Sequence, residues 1–291
     1  MKANSIVLVG APDSGKTNYL GRLWAALRAR QGKLAAPEIP PDIQYVEQTL
    51  EHLMHGDFAP RSDKSLAVSR HDFVVPVKRT DVSDADGFSI VVPDVSGELW
   101  KSAVETFEIS EEWMDQLQRS VGALLFVRVL SNQNVTPLDW VTAERLLKLH
   151  PAIEDESHKI PTQVMLCELL RFLEYTLQPG NEGALPRVAI VVTAWDLLDE
   201  ERRAAGPMAY LQTEYPLLVG KLADTEKVEV KAFGVTIVGG DFEDQVFRTE
   251  FLENGDLQHA GHCVVELDGK IMEEADLTYP VAWLVEPLQN A

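Results

Sequence analysis

Residues 6–17 read Ile6-Val7-Leu8-Val9-Gly10-Ala11-Pro12-Asp13-Ser14-Gly15-Lys16-Thr17. The first four are apolar and mostly β-branched, as in a strand buried on both faces. The next eight fit GxxxxGK[ST], the pattern of a loop that wraps phosphates after a strand and opens a helix. Gly10 and Gly15 let the backbone come close to an anion, and the loop's N–H groups point inward at a helix N-terminus. The phosphate-binding candidates are Gly10, Pro12, Asp13, Ser14, Gly15, Lys16, Thr17 and Asn18. Lys16 is expected to bridge the terminal phosphates of a nucleotide, and Thr17 to offer its hydroxyl to Mg2+. Pro12 has no N–H to donate; its place beside the outermost phosphate is expected to limit access for a partner's arginine.

Working outward, Tyr19, Leu20, Leu23, Trp24 and Leu27 recur at helical spacing between Lys16 and Arg30, with Gly32 as a stop. Phe73 to Val77 and Phe88 to Val92 read as a hairpin joined by a polar turn ending in Asp86-Gly87. Gly122 to Val129, Val188 to Val192 and Ala232 to Val238 read as buried strands. Ser131 to Leu185 reads as two helices, with Leu169, Leu170, Leu173 and Leu177 on one face. Cys263 to Leu267 and Lys270 to Met272 read as an exposed hairpin about Asp268-Gly269, and Val281, Leu284, Val285 and Leu288 as a closing helix. Pro37 to Pro41 and Gly56 to Asp63 read as mobile loops. The expected fold class is α/β, with a mainly parallel sheet flanked by helices. One domain is expected, with a core over about residues 4–240, a helical insertion, and a C-terminal extension over 241–291.

Two further motifs stand at strand ends. Phe88 to Val92 leads to Pro93-Asp94-Val95-Ser96-Gly97-Glu98, a DxxG. Asp94 at a strand tip can hold a magnesium-bound water, and the Gly97 N–H can approach a γ-phosphate; Asp and Gly also mark any turn. Val188 to Val192 leads to Thr193-Ala194-Trp195-Asp196, close to [NT]KxD, with Ala194 in place of lysine. A carboxylate at Asp196 would accept from the N1 and N2 donors of guanine, a pair that adenine lacks. The alternative for Asp196 is a cap on a helix beginning near Leu197. Phe233 to Gly239 falls where a last loop would meet the base through backbone groups.

These three motifs, in this order, resemble a translation-factor-class P-loop GTPase of the Ras-like fold. The run SGKTNYLGRLW, the loop Leu53 to Ser62 with Gly56 and Pro60, and DVSGE resemble more narrowly the bacterial double-GTPase group, associated with conflict or defence systems and often encoded beside a second GTPase. The resemblance covers about residues 4–240. It implies a switch protein that hydrolyses GTP to GDP and phosphate with Mg2+, working through a protein effector or a second GTPase. It places Lys16 on the phosphates, Thr17 and Asp94 on the metal, Gly97 on the γ-phosphate, and Thr193 and Asp196 at the base. The first switch would supply a metal hydroxyl, with Ser62 the first candidate and Ser65 the second. Glu98 stands where Ras-like enzymes carry a water-positioning glutamine. It can take a proton but repels phosphate oxygens, so slow, partner-stimulated hydrolysis is expected. Arg61 and Arg128 could serve in cis, though solvated or ion-paired roles are the expectation. A non-hydrolysing nucleotide-dependent scaffold and an ATP-using enzyme are the rival readings.

Composition narrows the partners. Lys and Arg number 26 against 46 Asp and Glu, a formal charge of −20, so most faces repel nucleic acid and anionic membranes. Cys167 and Cys263 lack the spacing of a zinc site and read as buried thiols of a cytoplasmic protein. The N-terminus does not read as a signal peptide, and the apolar stretch Val121 to Leu130 is too short to span a bilayer.

Overall fold

The computed structural model describes residues 5–30, 32–40, 43–60, 73–80, 88–92, 97–136, 160–179, 183–254, 257 and 260–286. Strand β1 (Ser5–Val9) is buried along its whole length, as its apolar run requires. It pairs in parallel with β5 (Ser120–Arg128), β5 with β6 (Arg187–Thr193), and β6 with β7 (Glu229–Thr236). Between β1 and β5 the chain forms β2 (Leu34–Ala35), β3 (Phe73–Arg79) and β4 (Phe88–Val92), an antiparallel set whose β4 lies alongside β1. The β3–β4 hairpin read from the sequence is present, with Val75 opposite Ile90.

Alternate residues of the sheet feed two separate cores. Ile6 and Leu8 pack toward helix α1 (Lys16–Ala29), joined by Leu20, Leu23, Trp24 and Leu27. Val7 and Val9 face the other way, toward α3 (Gly97–Thr106), α4 (Glu111–Arg119) and α5 (Thr162–Thr176), joined by Trp100, Leu117 and Leu169. The period-2 strand thus buries both faces under helices, giving the three-layer α/β architecture expected. Helix α2 (Gln44–Met54) lies against α1. Three short helices, α6 (Glu200–Ala205), α7 (Pro207–Glu214) and α8 (Pro216–Asp224), lead from β6 to β7; α7 and α8 each open on a proline. Helices α9 (Gln245–Asn254) and α10 (Tyr279–Val285) follow β7.

Three expectations are corrected. Strand β8 (His262–Leu267) is not part of an exposed hairpin. It adds antiparallel to β7 and buries Cys263, Val264 and Val265, leaving β9 (Lys270–Glu274) as the edge. Leu53 and Met54 belong to α2 rather than to a loop, and Leu53 is buried against Val238 and Phe242. Helix α1 ends at Arg30 in the left-handed conformation rather than at Gly32. Of the Ser131–Leu185 stretch, residues 137–159 lie outside the described residues, and α5 is the helix described there. Both cysteines are free thiols, with Cys263 buried and Cys167 half-buried. Among the described residues no helix is long and apolar enough to cross a membrane.

Candidate nucleotide site

The C-terminal ends of β1, β5, β6 and β7 lie side by side, because the four strands run parallel in register. In open α/β sheets this edge is where ligands bind. Val9 runs straight into the loop Gly10–Gly15, and α1 begins at Lys16. The N-cap of α1 is Gly15, in the left-handed conformation at φ 87°, with no side chain capping the helix and no acidic residue in its first turn. Glycine brings no capping side chain of its own to the first turn, and the helix dipole favours an anion there. A Cβ on Gly15 would come 2.9 Å from the Thr193 hydroxyl oxygen, so glycine is required both for φ and for space.

Lys16 folds back into this loop. Its ammonium donates to the carbonyls of Gly10 and Ala11, each at 2.8 Å, and to Ser14 Oγ at 3.1 Å. Burial pushes its pKa down to about 7, against a smaller upward pull from Asp13. Among the described residues this half-buried ammonium has only neutral oxygens as hydrogen-bond partners, and phosphate oxyanions would restore its full charge. Uncapped amides, a close-approach glycine and this lysine together fit a phosphate group. For Mg2+ the donor set is right in kind, a threonine hydroxyl with an aspartate and a serine. Thr17 stands in the first turn of α1, while Asp94, Ser62 and Ser65 lie outside the described residues, as does Arg61. Gly97 opens α3, and the side chain of Glu98 is likewise outside what is described.

Thr193 contacts the phosphate loop. Its hydroxyl lies 2.9 Å from the Ser14 carbonyl and 3.4 Å from that of Val127, tying β6 to the phosphate loop. Thr193→Val keeps the shape but strips a buried acceptor of its donor, at a cost of about 1–3 kcal/mol. The expected result is a lower melting temperature with nucleotide affinity reduced about tenfold by titration, since 1.4 kcal/mol is one decade. Unchanged melting and affinity would contradict the brace.

The candidate base-reading residues stand at two further strand tips. Ala194 adopts φ 56°, turning the chain into a short 3₁₀ turn, Trp195–Leu197. Trp195 is buried, and a Cβ on Gly234 of β7 would come 2.5 Å from its indole, so the two strand ends interlock through that glycine. Asp196 is not a helix cap: the helix begins at Glu200, and Asp199 caps it by accepting from Arg202 N–H. The Asp196 carboxyl is instead half-buried beside Thr236. Burial raises its pKa, while a hydrogen bond from Thr236 and the nearby His262 pull it down and Asp241 pushes it up. Thr236, at the end of β7, also accepts from Gly239 N–H at 2.9 Å, and His262 is its partner on β8. Thr236, within the Phe233 to Gly239 segment read as the last loop, is thus the side chain that meets the candidate Asp196, a contact no motif marks. Arg22 of α1, buried at 3% exposure, braces the next residues. It donates to the Ile237 carbonyl at 3.1 Å, to Ala260 O at 2.6 Å, and to Leu257 O.

A pH dependence follows from Asp196. Its folded pKa is raised, so ionisation costs the nucleotide-free fold stability as pH rises through that value. Guanine binding needs the charged form and would draw the pKa back down. Lys16, with its pKa at about 7, adds a limb of opposite sign that the parent and Asp196→Ala share. The ratio of parent to variant GDP affinity is therefore expected to fall with acidity, starting above the range of an ordinary aspartate. A ratio that does not change with pH would contradict it.

Residues 57–59, which lead into the candidate first-switch segment, are clamped. Ala59 N–H donates to Asn18 Oδ1 at 2.9 Å, Asp57 pairs with Arg248 of α9 at 3.0 Å, and Phe58 packs on Phe242 with ring centroids 4.9 Å apart. The Asn18 side chain thus faces this segment. Arg128, a candidate cis arginine, is ion-paired to Asp13 at 2.7 Å.

A sequence profile described as Double-GTPase 1 matches residues 7–284. The chain belongs to the Double-GTPase 1 family. It is accordingly a member of a GTPase family, and its residues 10–17 carry the phosphate-loop pattern. No curated protein matches it in sequence. Among solved structures it is similar to a bacterial selenocysteine-specific elongation factor, EF-Sec, at 16% identity and TM-score 0.36 over 88% of this chain and 29% of that one. The signal recognition particle receptor SRb-GTP/SRX complex from Chaetomium thermophilum gives 13%, 0.39, 86% and 98%. The S. cerevisiae Ski7 GTPase-like domain, bound to GDP and inorganic phosphate, gives 13%, 0.38, 87% and 50%. The double-GTPase chain thus spans under a third of the elongation factor's length.

Proposed function

We propose that this double-GTPase protein binds GTP with Mg2+ in the Gly10–Thr17 cradle and hydrolyses it slowly to GDP and phosphate, acting as a partner-regulated switch. The observation that carries this reading is the half-buried Lys16 ammonium at an uncapped helix N-terminus, with the Asp196 carboxyl at a strand tip of the same edge. On binding, Lys16 would exchange the Gly10 and Ala11 carbonyls for phosphate oxygens, and the amides of Asp13 to Thr17 would donate to the same group. Pro12 is the one loop residue between Ala11 and Thr17 that cannot donate. Asp196, oriented by Thr236, would accept from guanine.

Thr17, Asp94 and Ser62, or Ser65 in its place, would hold Mg2+, which when bound neutralises charge on the outer phosphates. Glu98 would orient the attacking water but would add a negative charge beside the γ-phosphate. Slow turnover follows from that conflict. Asn18 and the Arg248–Asp57 pair tie the first-switch segment to α1 and α9, giving a partner two elements through which to shift it. A protein effector or second GTPase, a cytoplasmic location and a place in bacterial conflict or defence are proposed from the family resemblance.

Single-turnover hydrolysis of GTP tests the chemistry. Slow release of phosphate by the parent chain is expected, altered at least about tenfold by Glu98→Ala, a typical share for a group acting on the nucleophile's proton. Fast, partner-free turnover would contradict the slow-switch reading. Binding with no turnover in either protein would favour a scaffold that uses nucleotide only to order its surface.

A further inference from the structure

The phosphate loop contains an acidic residue where the ligand is an anion. Asp13 adopts φ 63°, a left-handed conformation that aspartate tolerates better than most residues and that the turn of the loop demands. Its side chain does not bond Lys16, whose contacts are the Gly10 and Ala11 carbonyls and Ser14 Oγ. The carboxylate is turned toward the end of β5 instead. There Oδ1 accepts from the Arg128 guanidinium at 2.7 Å, and Oδ2 lies 3.5 Å from Ser131 Oγ.

Arg128 is the residue registered against Thr193 across β5 and β6, and Thr193 holds the next loop residue through the Ser14 carbonyl. Two neighbouring strand tips therefore each hold one of two consecutive loop residues, one by its backbone and one by its charge. Arg128 and Asp13 are 35% and 22% exposed in their side chains, so the pair contributes little to folding. Its consequence is electrostatic and local: it fixes which way a negative charge points beside a site for phosphates.

We propose that Arg128 is a positioning residue for nucleotide binding, which neutralises the Asp13 carboxylate and holds it turned out of the phosphate cradle. This rests on the reading that the cradle takes a nucleotide's phosphates. Without Arg128, Asp13 is free to swing toward those phosphates, and its uncompensated charge opposes them. Arg128 acts through Asp13, so its importance exists only while Asp13 is acidic.

The test is a double-mutant cycle on the full chain, titrated with GDP in Mg2+ buffer, with melting temperatures of the ligand-free variants alongside. Arg128→Ala and Arg128→Gln are expected to weaken GDP binding about 10- to 100-fold, the scale of one unit charge at short range in a partly buried site. Asp13→Asn alone keeps the loop N–H and removes only the opposing charge, so it should tighten GDP binding. Asp13→Asn combined with Arg128→Ala should return to within about threefold of the parent, as expected when one residue acts only through the other. Ligand-free melting should shift little throughout. Undiminished binding by both Arg128 variants, or a loss that Asp13→Asn fails to restore, would overturn the inference. A parent chain that binds GDP and loses it with Lys16→Ala, while Arg128→Ala is silent, overturns this inference alone. A parent chain that binds no nucleotide overturns both this and the proposed function.

Discussion

Lys16→Ala is expected to lose nucleotide binding by at least about 100-fold, the largest effect of any single substitution here. Charge-assisted hydrogen bonds to phosphate are roughly twice as strong as neutral ones, and Lys16 is the one basic side chain the described loop residues turn inward. Truncation also removes a half-buried charge whose hydrogen-bond partners among the described residues are all neutral oxygens. The nucleotide-free protein should therefore fold at least as stably as the parent. Loss of binding with retained or raised melting temperature separates a ligand contact from a structural one. Titration with GDP and calorimetric melting together check it; a variant that binds normally would remove the lysine from the site.

Asp196→Ala carries the second largest effect, and it falls on selectivity. A charged acceptor facing two base donors contributes about 1.5–3 kcal/mol per hydrogen bond. With two such bonds GDP affinity should fall at least about 100-fold, while ADP affinity, which has no such pair to lose, changes by less than about threefold. The fold should survive, because the neighbouring helix is capped by Asp199 and the turn is held by Trp195 packed under Gly234. The measurement is the ratio of GDP to ADP dissociation constants in parent and variant. A ratio that does not move would assign base reading elsewhere.

Legibility in the sequence followed the range of the interaction. The phosphate loop and α1 could be read because glycine, lysine and the helical apolar repeat act locally, and β1, β5, β6 and β7 because buried parallel strands are near-continuous apolar runs. The hairpin of β8 and β9 was placed well but its exposure misjudged. Cys263-Val264-Val265 suits either an exposed edge or a sheet addition, and only the pairing with β7 decides. The small helices α6 to α8 escaped because their lengths, 6 to 9 residues, carry too few turns to show a period. The supports of the site were invisible for a different reason. Asp13 meets Arg128 across 115 positions, Thr193 meets Ser14 across 179, and Arg22 meets Ile237 across 215. Such pairs leave no spacing pattern, whereas the groups they hold stand in contiguous motifs.

The account depends on phosphates occupying the loop between Gly10 and Thr17, and a crystal structure with Mg2+ and GDP tests that most directly. The account predicts the diphosphate against the amides of Ser14 to Thr17, with the Lys16 ammonium moved off the Gly10 and Ala11 carbonyls onto phosphate oxygen. A diphosphate bound elsewhere, or Lys16 still folded on those two carbonyls beside a bound nucleotide, would contradict it.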